Sequence, residues 1–166
     1  MTEAEATGSA AEQDLCISCG LCCDGSLFWA VPVGPEEVVP VPLDPERRLR
    51  QPCPRFDGRC TVYAERPAGC RSFDCRVLQT LRAGLRDRAW ADGEIAQMRR
   101  VLAELHTLLP GREPSIYRRA ADFLARHGRE IGTPAFQRRH RRLLRCLSAY
   151  EAALARFHVA EKGGKG

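Results

Sequence analysis

The stretch Cys16-Ile-Ser-Cys19-Gly-Leu-Cys22-Cys23 decides how this chain is read. Two-residue spacers let consecutive thiolates curl around one metal centre. A second set follows, Cys53, Cys60, Cys70 and Cys75, with turn-forming residues such as Pro54, Gly58, Pro67 and Gly69 between its members. Four thiols plus four suit two tetrahedral sites. Adjacent Cys22 and Cys23 cannot easily chelate one ion without strain, and successive side chains of an extended backbone point to opposite sides, so the two are expected to serve different sites. Many divisions of the eight remain open, as does one mixed site with spare reactive thiols.

Around this cluster the composition is that of a small soluble protein. The chain has 166 residues, 44% of them hydrophobic, which allows one domain or a small domain with a helical extension and excludes a large multidomain enzyme. No run approaches the roughly 18 consecutive apolar residues of a membrane span. Nine cysteines are about 5% of the chain, below the roughly 8–10% of a disulfide scaffold. The acidic start MTEAEATGSAAEQD resembles no signal peptide, so the thiols are expected to be reduced and the location cytoplasmic. A disulfide framework would require an oxidising compartment. A purely apolar role for packed free cysteines gives no reason for paired spacing in so polar a segment.

The chain has two unlike parts. Residues 1–75 carry 7 basic and 12 acidic side chains, whereas residues 76–166 carry 19 basic and 9 acidic, so a net charge of +5 is the sum of −5 and +10. Residues 1–14 read as a disordered acidic tail and 161–166 as a flexible one. Residues 16–75 read as a loop-rich cysteine-cluster module, in which Leu27–Val33 has strand propensity but Pro32, Pro35, Pro40, Pro42 and Pro45 permit only short or edge strands. So few apolar anchors rarely fold unaided, and a metal would supply the missing stabilisation.

From Cys75 onward the period becomes helical, and residues 76–160 are expected to form a small bundle. The pattern predicts a helix over Arg76–Leu85 with Leu78, Leu81 and Leu85 on one face. A second opens at Asp92 as N-cap and ends at Pro110-Gly111, aligning Ile95, Met98, Leu102, Leu105 and Leu109. A third follows Pro114 and ends near Gly128. The last opens with Thr133 as N-cap and Pro134 at its first position and runs through Phe136, His140, Leu143, Leu147, Tyr150, Leu154 and Phe157. The fold class is therefore mainly α, a loop-rich metal module with short strands followed by a helical bundle.

These residues carry a family resemblance. C-x2-C-x2-C-C, then C-P, then G-x-C-x-V-Y-x-x-R-P-x-x-C-R-x-F-x-C resembles the YkgJ-type CxxCxxCC cysteine-cluster family of zinc- or iron-chelating proteins. The matching positions are the eight cysteines with Gly20, Pro54, Gly58, Tyr63, Arg66, Pro67, Arg71 and Phe73, and they say nothing about the helical half. The resemblance implies metal binding by Cys16, Cys19, Cys22, Cys23, Cys53, Cys60, Cys70 and Cys75. The cluster also resembles the cysteine-rich part of flagellin lysine N-methylases, although no S-adenosylmethionine loop is recognisable here.

Zinc and iron both suit the donors. An all-thiolate tetrahedral set is a closed structural zinc site. The spacing Cys16-x2-Cys19-x2-Cys22 with a remote Cys53-Pro54 echoes bacterial iron–sulfur proteins, without their x3 spacer. Four thiolates around a divalent ion leave a charge of −2, so donors beside the site should stabilise it; Arg66 and Arg71 are the candidates, with Tyr63 as a packed phenol. Cys75 precedes a helix whose free N–H groups favour a thiolate. Cys146 reads as a packing residue, His106, His140 and His158 as core histidines, and His127 as a helix-end cation.

The run Gln137-Arg-Arg-His-Arg-Arg-Leu-Leu-Arg145 invites a nucleic-acid reading, but Arg138, Arg141, Arg142 and Arg145 project opposite the apolar stripe, as a solvated face does. With 24 arginines to 2 lysines, arginine is common throughout. No phosphate loop, carboxylate pair or Ser/His/Asp arrangement identifies an enzyme. Three functions fit: a metal-binding protein whose metal organises the fold and is available for redox chemistry, a zinc-stabilised module binding nucleic acid or an acidic protein partner through its arginines, and an iron–sulfur-dependent redox or methyl-transfer enzyme.

Overall fold

The computed structural model describes residues 10–158. Residues 1–9 and 159–166, with most of the two expected tails, lie outside the described residues. Seven helices and one two-stranded antiparallel sheet make the described fold mainly α. In chain order they are α1 (Ala10–Cys19), β1 (Ala30–Pro32), β2 (Arg48–Arg50), α2 (Ala68–Ser72), α3 (Arg76–Arg82), α4 (Arg88–Leu108), α5 (Ile116–His127), α6 (Pro134–Arg139) and α7 (Arg141–Phe157). α1 corrects the tail expectation, because residues 10–14 are already helical.

The bundle follows its apolar period. Ile95, Met98, Leu102 and Leu105 of α4, with Leu109 at its end, are buried and meet Leu143, Leu147, Tyr150 and Phe157 of α7. Burying each such side chain contributes about 1.5–3 kcal/mol. Ile116, Ala120 and Phe123 of α5 and Phe136 of α6 complete this side of the core. α4 begins earlier than its period suggested: Asp87 is the N-cap, accepting from the Trp90 amide at 2.8 Å. Asp92 lies inside the helix and pairs with Arg88 at 3.0 Å. The extra turn is favourable because it buries Ala91 completely. α3, in contrast, stops at Arg82, and Leu85 is left 73% exposed.

The last helix opens as its signals require, with the Thr133 hydroxyl accepting from the Phe136 amide and Pro134 in the first turn. It then breaks at His140, whose φ of −108° and ψ of 17° separate α6 from α7. No glycine or proline marks this break. The His140 ring packs 4.3 Å from that of Phe136, which in turn lies 6.2 Å from Phe123.

The cysteine-rich segment does not stand apart from the bundle. Leu15, Leu21 and Leu27 belong to the same buried cluster as α3, α4, α5 and α7. A second, smaller cluster holds Val31, Val33, Val41, Leu49 and Cys53 around the sheet, in which Val31 faces Leu49. The turn after α1 is clasped directly by the helices. The Gly25 carbonyl accepts from the Ser115 hydroxyl at 2.9 Å and from the Tyr117 amide at 3.1 Å. The Tyr150 hydroxyl donates to the Ser26 carbonyl, and His158 Nε2 lies 2.9 Å from the Leu27 carbonyl. Three consecutive carbonyls thus receive donors from α5, α7 and the residue that ends α7.

Candidate metal centre

All eight cysteines of residues 16–75 line one cavity of about 80 Å³. Each element delivers its thiols for a local reason. α1 carries Cys16 and Cys19 three residues apart, hence on one face. The helix ends there because Gly20 takes φ +70°, the left-handed conformation that closes many helices. That turn hydrogen-bonds the Cys23 amide to the Gly20 carbonyl at 2.8 Å and swings Cys22 and Cys23 back towards the cavity. A Cβ on Gly20 would lie 2.1 Å from Cζ of Phe56, so glycine is required both for the turn and for the ring laid across it.

The second set is gathered by turns. The Cys53 amide donates to the Cys23 carbonyl at 2.7 Å, and Phe56 and Cys60 form an antiparallel bridge that folds residues 53–60 back on themselves. Pro67, buried, caps α2, which carries Cys70. Cys75 caps α3, its sulfur accepting from the Leu78 amide at 3.4 Å, as its place before a helix suggested. Cys146 is elsewhere: it is 5% exposed in the bundle and its sulfur lies 3.6 Å from the Val101 carbonyl.

Burial governs the chemistry of these sulfurs. It pushes the Cys19 thiol up to about 12 and the Cys70 thiol up to about 11. It also raises Cys22, Cys23, Cys53 and Cys75 above the usual thiol value, with neighbouring cysteines adding like-charge repulsion. Amide donors from Leu21 to Cys19 and from Leu78 to Cys75 oppose the shift. Crowded, buried thiolates are costly unless a cation compensates them. All nine cysteines are free. Among the described residues, no three Cys, His, Asp or Glu side chains stand at metal-coordinating geometry. The donors are gathered but not closed around a point.

The walls are otherwise mostly apolar, formed by residues such as Leu15, Leu27, Val41, Leu49, Phe73 and Val77. Gln51 and Arg66 are polar exceptions, and Gln51 Oε1 and Arg66 Nε are buried without a hydrogen-bond partner. Arg66 stacks on Tyr63 at 3.8 Å and brings Nη1 to 4.0 Å from the Cys16 sulfur. Burial, then Cys16, raises the Tyr63 phenol, and Arg66 opposes them. Arg71 differs from expectation. It is exposed and donates to the Arg66 carbonyl at 2.9 Å, which places it one layer behind Arg66.

One contact beside the site carried no sequence signal. Arg99 of α4 donates to the Cys19 carbonyl at 3.0 Å, satisfying the C-terminal end of α1. His106 is exposed rather than a core residue and meets Arg119 at 3.2 Å. His140 and His158 are half-buried, the first against rings and the second against Leu27; His127 ends α5 with Glu130 3.9 Å away. Arg138, Arg141, Arg142 and Arg145 are exposed, and Arg142 pairs with Glu104 at 2.9 Å. No described helix is long and apolar enough to cross a membrane. No protein-family model, curated protein or solved structure matches the chain.

Proposed function

We propose that the chain is a metal-chelating cysteine-cluster protein of the YkgJ type, binding zinc or iron through Cys16, Cys19, Cys22, Cys23, Cys53, Cys60, Cys70 and Cys75. The observation that carries this reading is the convergence of eight thiols, spread over 60 residues of chain, on one small apolar cavity while the ninth cysteine packs elsewhere. A cavity of about 80 Å³ suits ions or a compact cluster better than an organic cofactor, whose pockets span roughly 300–1,000 Å³. The unpartnered Arg66 Nε is a donor available to a thiolate-rich centre.

The metal's role in this reading is to organise residues 16–75, and structural zinc contributes about 10–16 kcal/mol of apparent folding free energy. Iron held as a sulfide cluster would add electron transfer. Anaerobic purification of the full chain, followed by elemental analysis and a visible spectrum, separates the two: zinc gives a colourless protein and an iron–sulfur cluster a brown one. Cys19→Ser and Cys70→Ser are each expected to lower bound metal and melting temperature. A metal-free wild-type protein, or unchanged metal content and melting in both variants, would sink the reading.

A further inference from the structure

The eight thiols share a cavity, yet the backbone and the two apolar clusters sort them. Cys19, Cys22 and Cys75 pack against the large core that joins α1, α3 and α4. Cys53 belongs to the small cluster around the sheet, and Cys23 and Cys70 pack against it. Cys16 joins the first group because it shares a face of α1 with Cys19, and α1 packs on α3, which Cys75 caps. Cys60 joins the second group because its bridge to Phe56, and the Phe56 amide donating to the Cys53 carbonyl at 3.0 Å, hold it in the loop that Cys53 opens. The amide of Cys53 on the carbonyl of Cys23 ties that loop to the second residue of the vicinal pair.

We infer that the chain holds two separate tetrathiolate metal centres, Cys16/Cys19/Cys22/Cys75 and Cys23/Cys53/Cys60/Cys70, divided at the Cys22–Cys23 peptide bond. This rests on the metal-binding reading above. Two sets of four supply the number of thiolates that a tetrahedral ion takes, and the division spares one ion from taking both sulfurs of an adjacent pair.

The two centres have different structural duties. The first fastens α1 to the start of α3 and so to the bundle, with Arg66 beside Cys16. The second closes the sheet-bearing loops on themselves. Losing the first should therefore loosen α1 and α3, and losing the second should loosen β1 and β2.

The test loads the full chain with zinc alone, withdraws the metal slowly with a chelator under reducing conditions, and maps free thiols by pulsed alkylation and fragment mass spectrometry. Cys16, Cys19, Cys22 and Cys75 should become reactive as one group, and Cys23, Cys53, Cys60 and Cys70 as another. Should both groups open at one rate, the variants Cys19→Ser/Cys75→Ser and Cys53→Ser/Cys70→Ser decide. Each should bind about one zinc where wild type binds about two, with the other four thiols still protected. Hydrogen exchange should rise in α1 and α3 for the first variant and in β1 and β2 for the second. Zinc bound with Cys22 and Cys23 protected by the same ion, or both zincs lost in either variant, would overturn the division while leaving metal binding intact. No zinc bound to the folded wild-type chain would overturn both.

Discussion

At the scale of single residues, Gly20 and Arg66 show how strongly the site constrains its neighbours. Gly20→Ala would put a Cβ 2.1 Å from the Phe56 ring at a φ of +70°, combining a steric clash with left-handed backbone strain. Destabilisation of about 2 kcal/mol or more is expected in urea unfolding, with part of it recovered in Gly20→Ala/Phe56→Ala. An unaffected single variant would show that the ring does not lie there. Arg66→Met should keep the metal count but weaken metal affinity by about 10–100-fold in chelator competition, since it removes the guanidinium beside Cys16. Equal affinity in wild type and variant would count against Arg66 as a partner of the centre.

At the scale of elements, capping and docking make separable contributions. Asp87 holds the first turn of α4, whereas Asp92 only forms an exposed ion pair along it. Asp87→Ala should therefore cost about 1 kcal/mol in thermal or urea unfolding, and Asp92→Ala about 0.3–0.5 kcal/mol. The opposite ranking would restore the later helix start. Tyr150→Phe removes the donor to the buried Ser26 carbonyl and should cost about 1–3 kcal/mol, with faster amide exchange in the turn after α1. If stability and exchange are both unchanged, that turn is not held by α7.

At the scale of the whole molecule, what could be read in advance were the local patterns. Thr133-Pro134 marks a helix start, Ile95 to Leu109 marks a buried face, and the thiol spacing singles out eight cysteines from nine. Contacts between distant segments left no such trace. Nothing near Ser115, Tyr150 or His158 announces that they reach the carbonyls of Gly25, Ser26 and Leu27, because a hydroxyl or ring reads alike whether its partner is water or backbone. The break at His140 was hidden for a related reason: tertiary packing of Phe136 and Leu143 accompanies it without a helix-breaking residue. The charge asymmetry now has a partial structural counterpart, since Arg99 and Arg88 of α4 meet the Cys19 carbonyl and Asp14 of α1. Some of the basic excess is thus spent inside the molecule.

In the proposed function, metal at the cysteines organises residues 16–75 on the helical bundle. The most direct test is the melting temperature of the anaerobically purified, metal-loaded full chain, measured with and without a strong chelator and paired with metal analysis of both samples. Metal loss should lower the melting temperature sharply, and re-addition of the same metal should restore it. Complete metal loss with unchanged melting would contradict it.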